Sequence, residues 1–172
     1  MKVTYSDLKN KRVFISGGGS GIGATIVEHF CEQKSEVYFI DIDVRSSNKL
    51  IKNIKKKGFK IPKFIECNIL DVKKLQNIIK DIISKKGAIH CLINSAANDD
   101  RHTTEQVDEK YWENRMGINL KHYFFAAQAV VKGMKKIKSG SIVNLSSVSW
   151  MLGEGDKVVY ETAKSAVVGL TR

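Results

Sequence analysis

Short apolar runs rich in β-favouring residues alternate along this chain with longer stretches whose apolar positions recur every three or four residues. The first pattern marks strands and the second marks helices packed by one face. Strands are predicted at Arg12 to Ser16, Glu36 to Asp41, Lys63 to Cys67, His90 to Asn94 and Ser141 to Ser146. Helices are predicted over Gly21 to Gln33, Ser46 to Lys57, Asp71 to Lys85 and a long stretch from Glu105 towards Lys136. A last helix starts near Val158 and is still running at Arg172. Regular alternation of this kind predicts an α/β fold: a doubly wound parallel sheet with helices on both faces and a ligand site at the carboxyl ends of the strands. One Pro, no low-complexity linker and no internal repeat leave residues 1–172 as a single domain.

Composition narrows the class. The chain is 42% hydrophobic and 27% charged, ordinary for a globular domain, and its apolar runs are too short to span a bilayer. The first seven residues carry no apolar signal core, so the reading is a cytoplasmic protein without a membrane partner. Cys31, Cys67 and Cys91 are odd in number and widely spaced, which argues against a disulfide framework. The four His, at 29, 90, 102 and 122, lack ligand spacing, and no metal is expected. A net charge of +11 invites a nucleic-acid reading, but most of the charge is Lys spread over predicted helices. That distribution describes solvated helix faces, and no nucleic-acid partner is expected.

The first strand runs straight into Ser16-Gly17-Gly18-Gly19-Ser20-Gly21-Ile22-Gly23 and then into a helix. Side chains there would keep backbone N–H groups away from a pyrophosphate, and the helix N-terminus adds free donors and a favourable dipole. The Gly-x-x-x-Gly-x-Gly spacing differs from the Gly-x-Gly-x-x-Gly fingerprint, yet its strand-loop-helix setting is that of a Rossmann-type dinucleotide site. Asp41 ends the second strand eighteen residues after Gly23, placed to accept hydrogen bonds from the adenosine ribose and to repel a 2′-phosphate. With neutral Ser20 in the loop this favours NAD, while Arg45 leaves NADP open.

Tyr160 and Lys164 stand one helical turn apart on the last helix, so their side chains share a face. The spacing alone means little, since Tyr5 and Lys9 repeat it ahead of the first strand. Ser147, thirteen residues before Tyr160, and Asn119 in the preceding helix add to it. With the glycine loop, Asp41, Leu92-Ile93-Asn94-Ser95-Ala96-Ala97 and Ser141-Ile142-Val143-Asn144-Leu145-Ser146-Ser147, the whole chain resembles the short-chain dehydrogenase/reductase family. The resemblance implies that Asn119, Ser147, Tyr160 and Lys164 are catalytic. Tyr160 is the general base, Ser147 binds the reacting oxygen, Lys164 lowers the phenol pKa and holds the nicotinamide ribose, and Asn119 positions a water. Cofactor contacts are implied for Gly17, Ser20, Gly21, Ile22, Gly23, Asp41, Asn68, Ile69 and Asn94, with Tyr160 and Lys164. Two positions depart from the family in ways that bear on binding: Ala97 replaces a usual Gly beside the cofactor and Asn68 a usual Asp at the adenine. A third, Ser16 for Thr, is mild.

The polar segment Asn98-Asp99-Asp100-Arg101-His102 suggests a hydroxyl-rich ligand. Together with Tyr111-Trp112-Glu113-Asn114-Arg115, Ser147-Val148-Ser149-Trp150 and the Tyr160 helix, it resembles the bacterial aldose 1-dehydrogenases of the family, especially the D-xylose type. That implies NAD-linked oxidation at C1 of a pentose to the lactone, with Ser147 and Tyr160 at the reacting oxygen. Asn98 and Ser149 are placed to hydrogen-bond the sugar, and Trp150 follows the catalytic strand closely enough to offer its ring an apolar face, although it reads equally as a core or subunit-interface aromatic. Another family activity on a polyol, steroid or β-ketoacyl chain stays open, as does an NAD-binding pseudoenzyme. Arg101 and His102 read equally as solvent-exposed loop residues, and Asp99 or Asp100 as a salt-bridge partner. By the same resemblance, two further strands, a substrate-covering loop and a dimer or tetramer interface are expected beyond Arg172. A 172-residue piece is accordingly expected to be unstable or aggregation-prone, and weakly active at best.

Overall fold

The computed structural model describes residues 3–172. Five strands, β1 (Arg12–Ser16), β2 (Glu36–Asp41), β3 (Lys63–Glu66), β4 (Cys91–Asn94) and β5 (Ser141–Asn144), form one parallel sheet in the order β3-β2-β1-β4-β5. Helices α1 (Gly21–Glu32), α2 (Val44–Lys56), α3 (Val72–Lys86), α4 (Glu109–Met116), α5 (His122–Lys136), α6 (Ser149–Leu152) and α7 (Val158–Thr171) connect and follow them.

The two-residue period of a strand explains why the central runs are apolar throughout. Phe14, Tyr38, Ile40 and Leu92 point to one face and pack with Leu75 and Ile79 of α3 and Ala126 and Val130 of α5. Val13, Ile15, Val37, Phe39 and Ile93 point to the other, against Val27 of α1 and Ile54 of α2. Each such burial contributes about 1.5–3 kcal/mol over leaving the side chain in water, so both faces have to be covered. β1 lies at the centre, and the chain reverses its winding between β1 and β4; ligands of doubly wound sheets sit in the crevice that this opens. Among the described residues β5 pairs only with β4 and forms one edge, where Val143 is 41% exposed.

Element ends differ from the sequence reading where partners or caps decide them. β3 and β5 stop at Glu66 and Asn144 because their partners Asp41 and Asn94 are the last residues of β2 and β4. β4 begins one residue late, at Cys91, although the His90 N–H still reaches the Arg12 carbonyl at 2.9 Å. α2 starts two residues early because Asp43 caps it, its Oδ1 accepting the Ser46 N–H at 2.9 Å. The long helix expected from Glu105 is interrupted. A 3₁₀ turn at Thr104–Gln106 gives way to extended Val107, and Asp108 then caps α4 by accepting the Tyr111 N–H at 2.7 Å. A π-helical turn, Gly117–Lys121, leads into α5 and carries Asn119. α6 was not anticipated.

Candidate functional site

The loop from β1 to α1 is shaped by close backbone packing. Gly17 has φ +69°, and a Cβ on it would lie 2.6 Å from Cα of Ala96; a Cβ on Gly23 would overlap the carbonyl oxygen of Gly17. Because that neighbour is backbone and cannot rotate away, Gly23→Ala is expected to cost about 1–3 kcal/mol and lower the melting temperature. An unchanged thermal melt would show that the loop has room. The helix that follows has no side-chain cap: Ser20 makes no capping bond, whereas Asp43, Asp71 and Asp108 each cap theirs. The first-turn N–H groups of α1 therefore remain a site for an external acceptor.

Asp41 braces this loop from the end of β2. Its Oδ2 accepts the Gly19 N–H at 2.8 Å and its Oδ1 the Asp43 N–H at 2.9 Å, leaving further lone pairs for a ligand. Ser16, buried at the end of β1, accepts the N–H groups of Ser95 and Ala96 at 3.2 and 3.4 Å and so fixes the start of the segment after β4.

One cavity of about 630 Å³ joins these parts. Gly17, Ser20, Gly21, Ile22, Gly23 and Asp41 form one wall, and Asn68 and Ile69 a second. Ala97 lies open on a third with Asn98 and Asp99; Tyr160 and Lys164 close the far end. Asn94, Asn119, Ser147, Ser149 and Trp150 are not in the wall. The Asn94 amide is turned to β5 and α5, donating to Asn144 Oδ1 at 2.8 Å and to the Tyr123 carbonyl at 3.4 Å. Asn119 grips the backbone of Asn98, accepting its N–H at 2.8 Å and donating to its carbonyl at 2.9 Å. Ser147 pairs with buried Ser149, Oγ to Oγ at 2.9 Å, and also accepts the Ser149 N–H at 3.2 Å. Trp150, on α6, is half-buried.

Lys164 is 1% exposed, and Nζ lies 5.5 Å from the Tyr160 ring centroid. It donates to the Tyr123 hydroxyl at 2.9 Å and the Leu145 carbonyl at 2.7 Å. Burial pushes its pKa down to about 8, opposed by the negative charge of Asp99.

The segment after β4 is more ordered than its polarity suggested. His102 is buried, not solvent-exposed: Nε2 accepts the Val159 N–H at 3.3 Å, and the ring packs on Tyr111 at 4.9 Å. Arg101 does stay exposed and pairs with Asp156, and Asp100 pairs with Arg115 at 2.7 Å. The bonds of Arg101 and His102 tie this segment to the start of α7, next to Tyr160, and those of Asp100 and the His102 ring tie it to α4. Tyr123, fully buried behind the cavity beside His122, escaped the sequence reading. The available signal was that Tyr123 shares a helical face with Ala126 and Val130, where a phenol needs a buried partner. Among the described residues no cluster of three potential metal ligands occurs, and no helix is long and apolar enough to cross a membrane. All three cysteines are free thiols; burial raises the Cys31 pKa to about 12 and that of Cys91 to about 11.

The family model described as short chain dehydrogenase matches residues 11–172. A D-xylose 1-dehydrogenase of Caulobacter vibrioides is 42% identical over 169 residues, which are 98% of this chain and 66% of that protein. A probable galactose dehydrogenase, GalD, of Rhizobium meliloti is 38% identical over 168 residues, again 98% of this chain and 66% of that protein. The ligand-free structure of Thermoplasma acidophilum aldohexose dehydrogenase superposes with a TM-score of 0.83 at 28% identity, covering 97% of this chain and 61% of that one. The chain thus spans about two thirds of the length of these relatives.

Proposed function

The chain belongs to the short-chain dehydrogenase family, and from that premise we propose that the protein is an NAD-dependent oxidoreductase that converts an aldose, a pentose such as D-xylose, to its lactone. One observation carries the reading: the glycine loop, Asp41, Tyr160 and Lys164 line a single cavity. The two sugar dehydrogenases to which the chain is similar point to the substrate class.

The family uses a nicotinamide cofactor, NAD or NADP. The residues present fit a dinucleotide: side-chain-free backbone at Gly17 and Gly23, an uncapped helix N-terminus for the pyrophosphate, and Asp41 beside them for a ribose diol. Asn68 and Ile69 form the wall for the adenine. A 2′-phosphate would meet the Asp41 carboxylate, and Arg45 is exposed outside the cavity wall, so NAD is favoured over NADP. When bound, the nicotinamide supplies the two-electron acceptor.

The protein's own groups handle the proton and the geometry. Tyr160 is the group placed to act as the base, with the buried Lys164 ammonium 5.5 Å from its ring as the neighbouring cation. Tyr160 Oη then takes the proton of the C1 hydroxyl. Ser149 gives its N–H to Ser147 Oγ and sits within hydroxyl bonding distance of it. With Ser149 as the donor in both, the Ser147 O–H is left to hold the reacting oxygen. Asn119, by clamping Asn98, fixes the polar segment that would face the sugar hydroxyls. Trp150, on α6 outside the cavity wall, is the aromatic proposed to stack on the sugar ring.

The test is a panel of aldoses, polyols, a steroid and a β-ketoacyl thioester with NAD and with NADP, run on the longest open reading frame that encodes this chain. Aldose-dependent reduction of NAD, with lactone as product, is the expected result. Turnover confined to non-sugar alcohols, or confined to NADP, overturns the corresponding part.

A further inference from the structure

Lys164 Nζ carries three N–H donors, and two are already taken inside the protein, by the Tyr123 hydroxyl at 2.9 Å and the Leu145 carbonyl at 2.7 Å. One donor is left for the cavity that Lys164 lines. The Tyr123 hydroxyl has one proton to give, and its acceptors are the same Leu145 carbonyl at 3.2 Å and the more distant Ala96 carbonyl at 3.5 Å, so its lone pairs are free to face the ammonium. Its ring is fully buried and stacks edge-on against His122 at 4.4 Å. The hydroxyl is therefore a fixed acceptor on a rigid helix, with the lysine nitrogen 5.0 Å from the Tyr123 ring centroid and 5.5 Å from that of Tyr160.

Resting on the reading of α7 as the proton-transfer helix, we propose that Tyr123 is a positioning residue, which holds the Lys164 ammonium in place and in its charged form beside Tyr160. A lysine stem has several rotatable bonds, and a nitrogen held by one carbonyl alone could still swing about it. The second acceptor defines a direction. It also replaces part of the hydration that burial strips away, and a hydrogen bond to a charged form favours that form.

The groups that face Nζ are few. Tyr160 lies on the same helix, Tyr123 and His122 come from α5, and Asp99 comes from the segment after β4; the end of β5 contributes only the Leu145 carbonyl. His122 adds no charge near neutrality, because burial and the lysine itself push its pKa down to about 3. Asp99 is exposed and acts through water. Tyr123 is the buried side chain that accepts from the lysine.

Titration of the Lys164 nitrogen by NMR on protein labelled with ¹⁵N-lysine reads this directly, in the wild type and in Tyr123→Phe. The midpoint is expected to fall by about one pH unit, as a hydrogen bond to a charged group is worth roughly that much. The alkaline limb of kcat is expected to move with it, while KM for the sugar stays within about twofold. If neither protein turns over any sugar but the lysine midpoint still falls, the sugar dehydrogenase reading fails and the positioning role stands. An unchanged midpoint overturns the proposal, including the case where only the melting temperature drops. Should Tyr123→Phe not fold, 3-fluorotyrosine at 123 keeps the shape and weakens the oxygen as an acceptor; a smaller shift in the same direction is then expected, and none overturns it.

Discussion

Replacing Tyr160 by Phe should lower kcat by about 10²–10⁴-fold, the usual size of a general-base contribution, while dinucleotide affinity changes by less than about threefold. The argument is local. Tyr160 is half-buried and lines the cavity, and its hydroxyl makes no hydrogen bond to protein among the described residues, so removing it leaves no buried partner unsatisfied. The ring and its packing remain, and the melting temperature should move by less than about 2 °C. Steady-state kinetics, a fluorescence titration with NAD and a thermal melt separate the three quantities. Undiminished turnover in the variant would remove Tyr160 from the chemistry. Loss of binding along with turnover would mean that the ring, rather than the hydroxyl, is what matters.

Much of this was readable beforehand because the strongest signals in the sequence are also the strongest physical constraints. Strands buried on both faces tolerate no polar residue in mid-run, and β1 and β2 were readable to the residue for that reason. The glycine loop was readable because backbone contacts at Gly17 and Gly23 leave no alternative residue. What stayed hidden depends on partners far away in the chain. His102 looked like a loop residue since nothing near it in sequence announces the Val159 N–H it accepts fifty-seven residues on. Tyr123 looked like one more aromatic in an apolar helix, since its partners Leu145 and Lys164 lie on other elements. The break before α4 was visible in principle, as Asp108 is a good cap, but helical periodicity on both sides masked it. The same long-range pairing moved Asn94 and Asn119 behind the cavity wall, where they bond to β5, α5 and Asn98.

Lys164→Met should remove activity as fully as the loss of Tyr160 and yet make the protein more stable at pH 7. The folded-state pKa of Lys164 is depressed, about 8 against an ordinary 10.5, so the fold disfavours the charged lysine. Below pH 8 both states hold the proton and the penalty is complete, on the order of 3 kcal/mol at about 1.4 kcal/mol per unit. Between pH 8 and 10.5 the folded chain has released the proton while the unfolded chain still holds it, so the penalty fades, and above 10.5 it is gone. Methionine fills a similar volume with an adaptable apolar stem. The Leu145 carbonyl keeps its bond from Tyr123, so the loss from unmade hydrogen bonds stays near 1 kcal/mol. The expected net gain at pH 7 is about 1–3 kcal/mol, a rise of several degrees in melting temperature, shrinking steadily as pH is raised towards 10. Denaturant unfolding of both proteins at pH 7 and at pH 9.5 measures it. A variant less stable than the wild type at pH 7, with a gap indifferent to pH, would show that the ammonium is comfortably solvated. It would also remove the physical basis for its effect on Tyr160, because only a poorly hydrated charge acts strongly on a phenol 5.5 Å away.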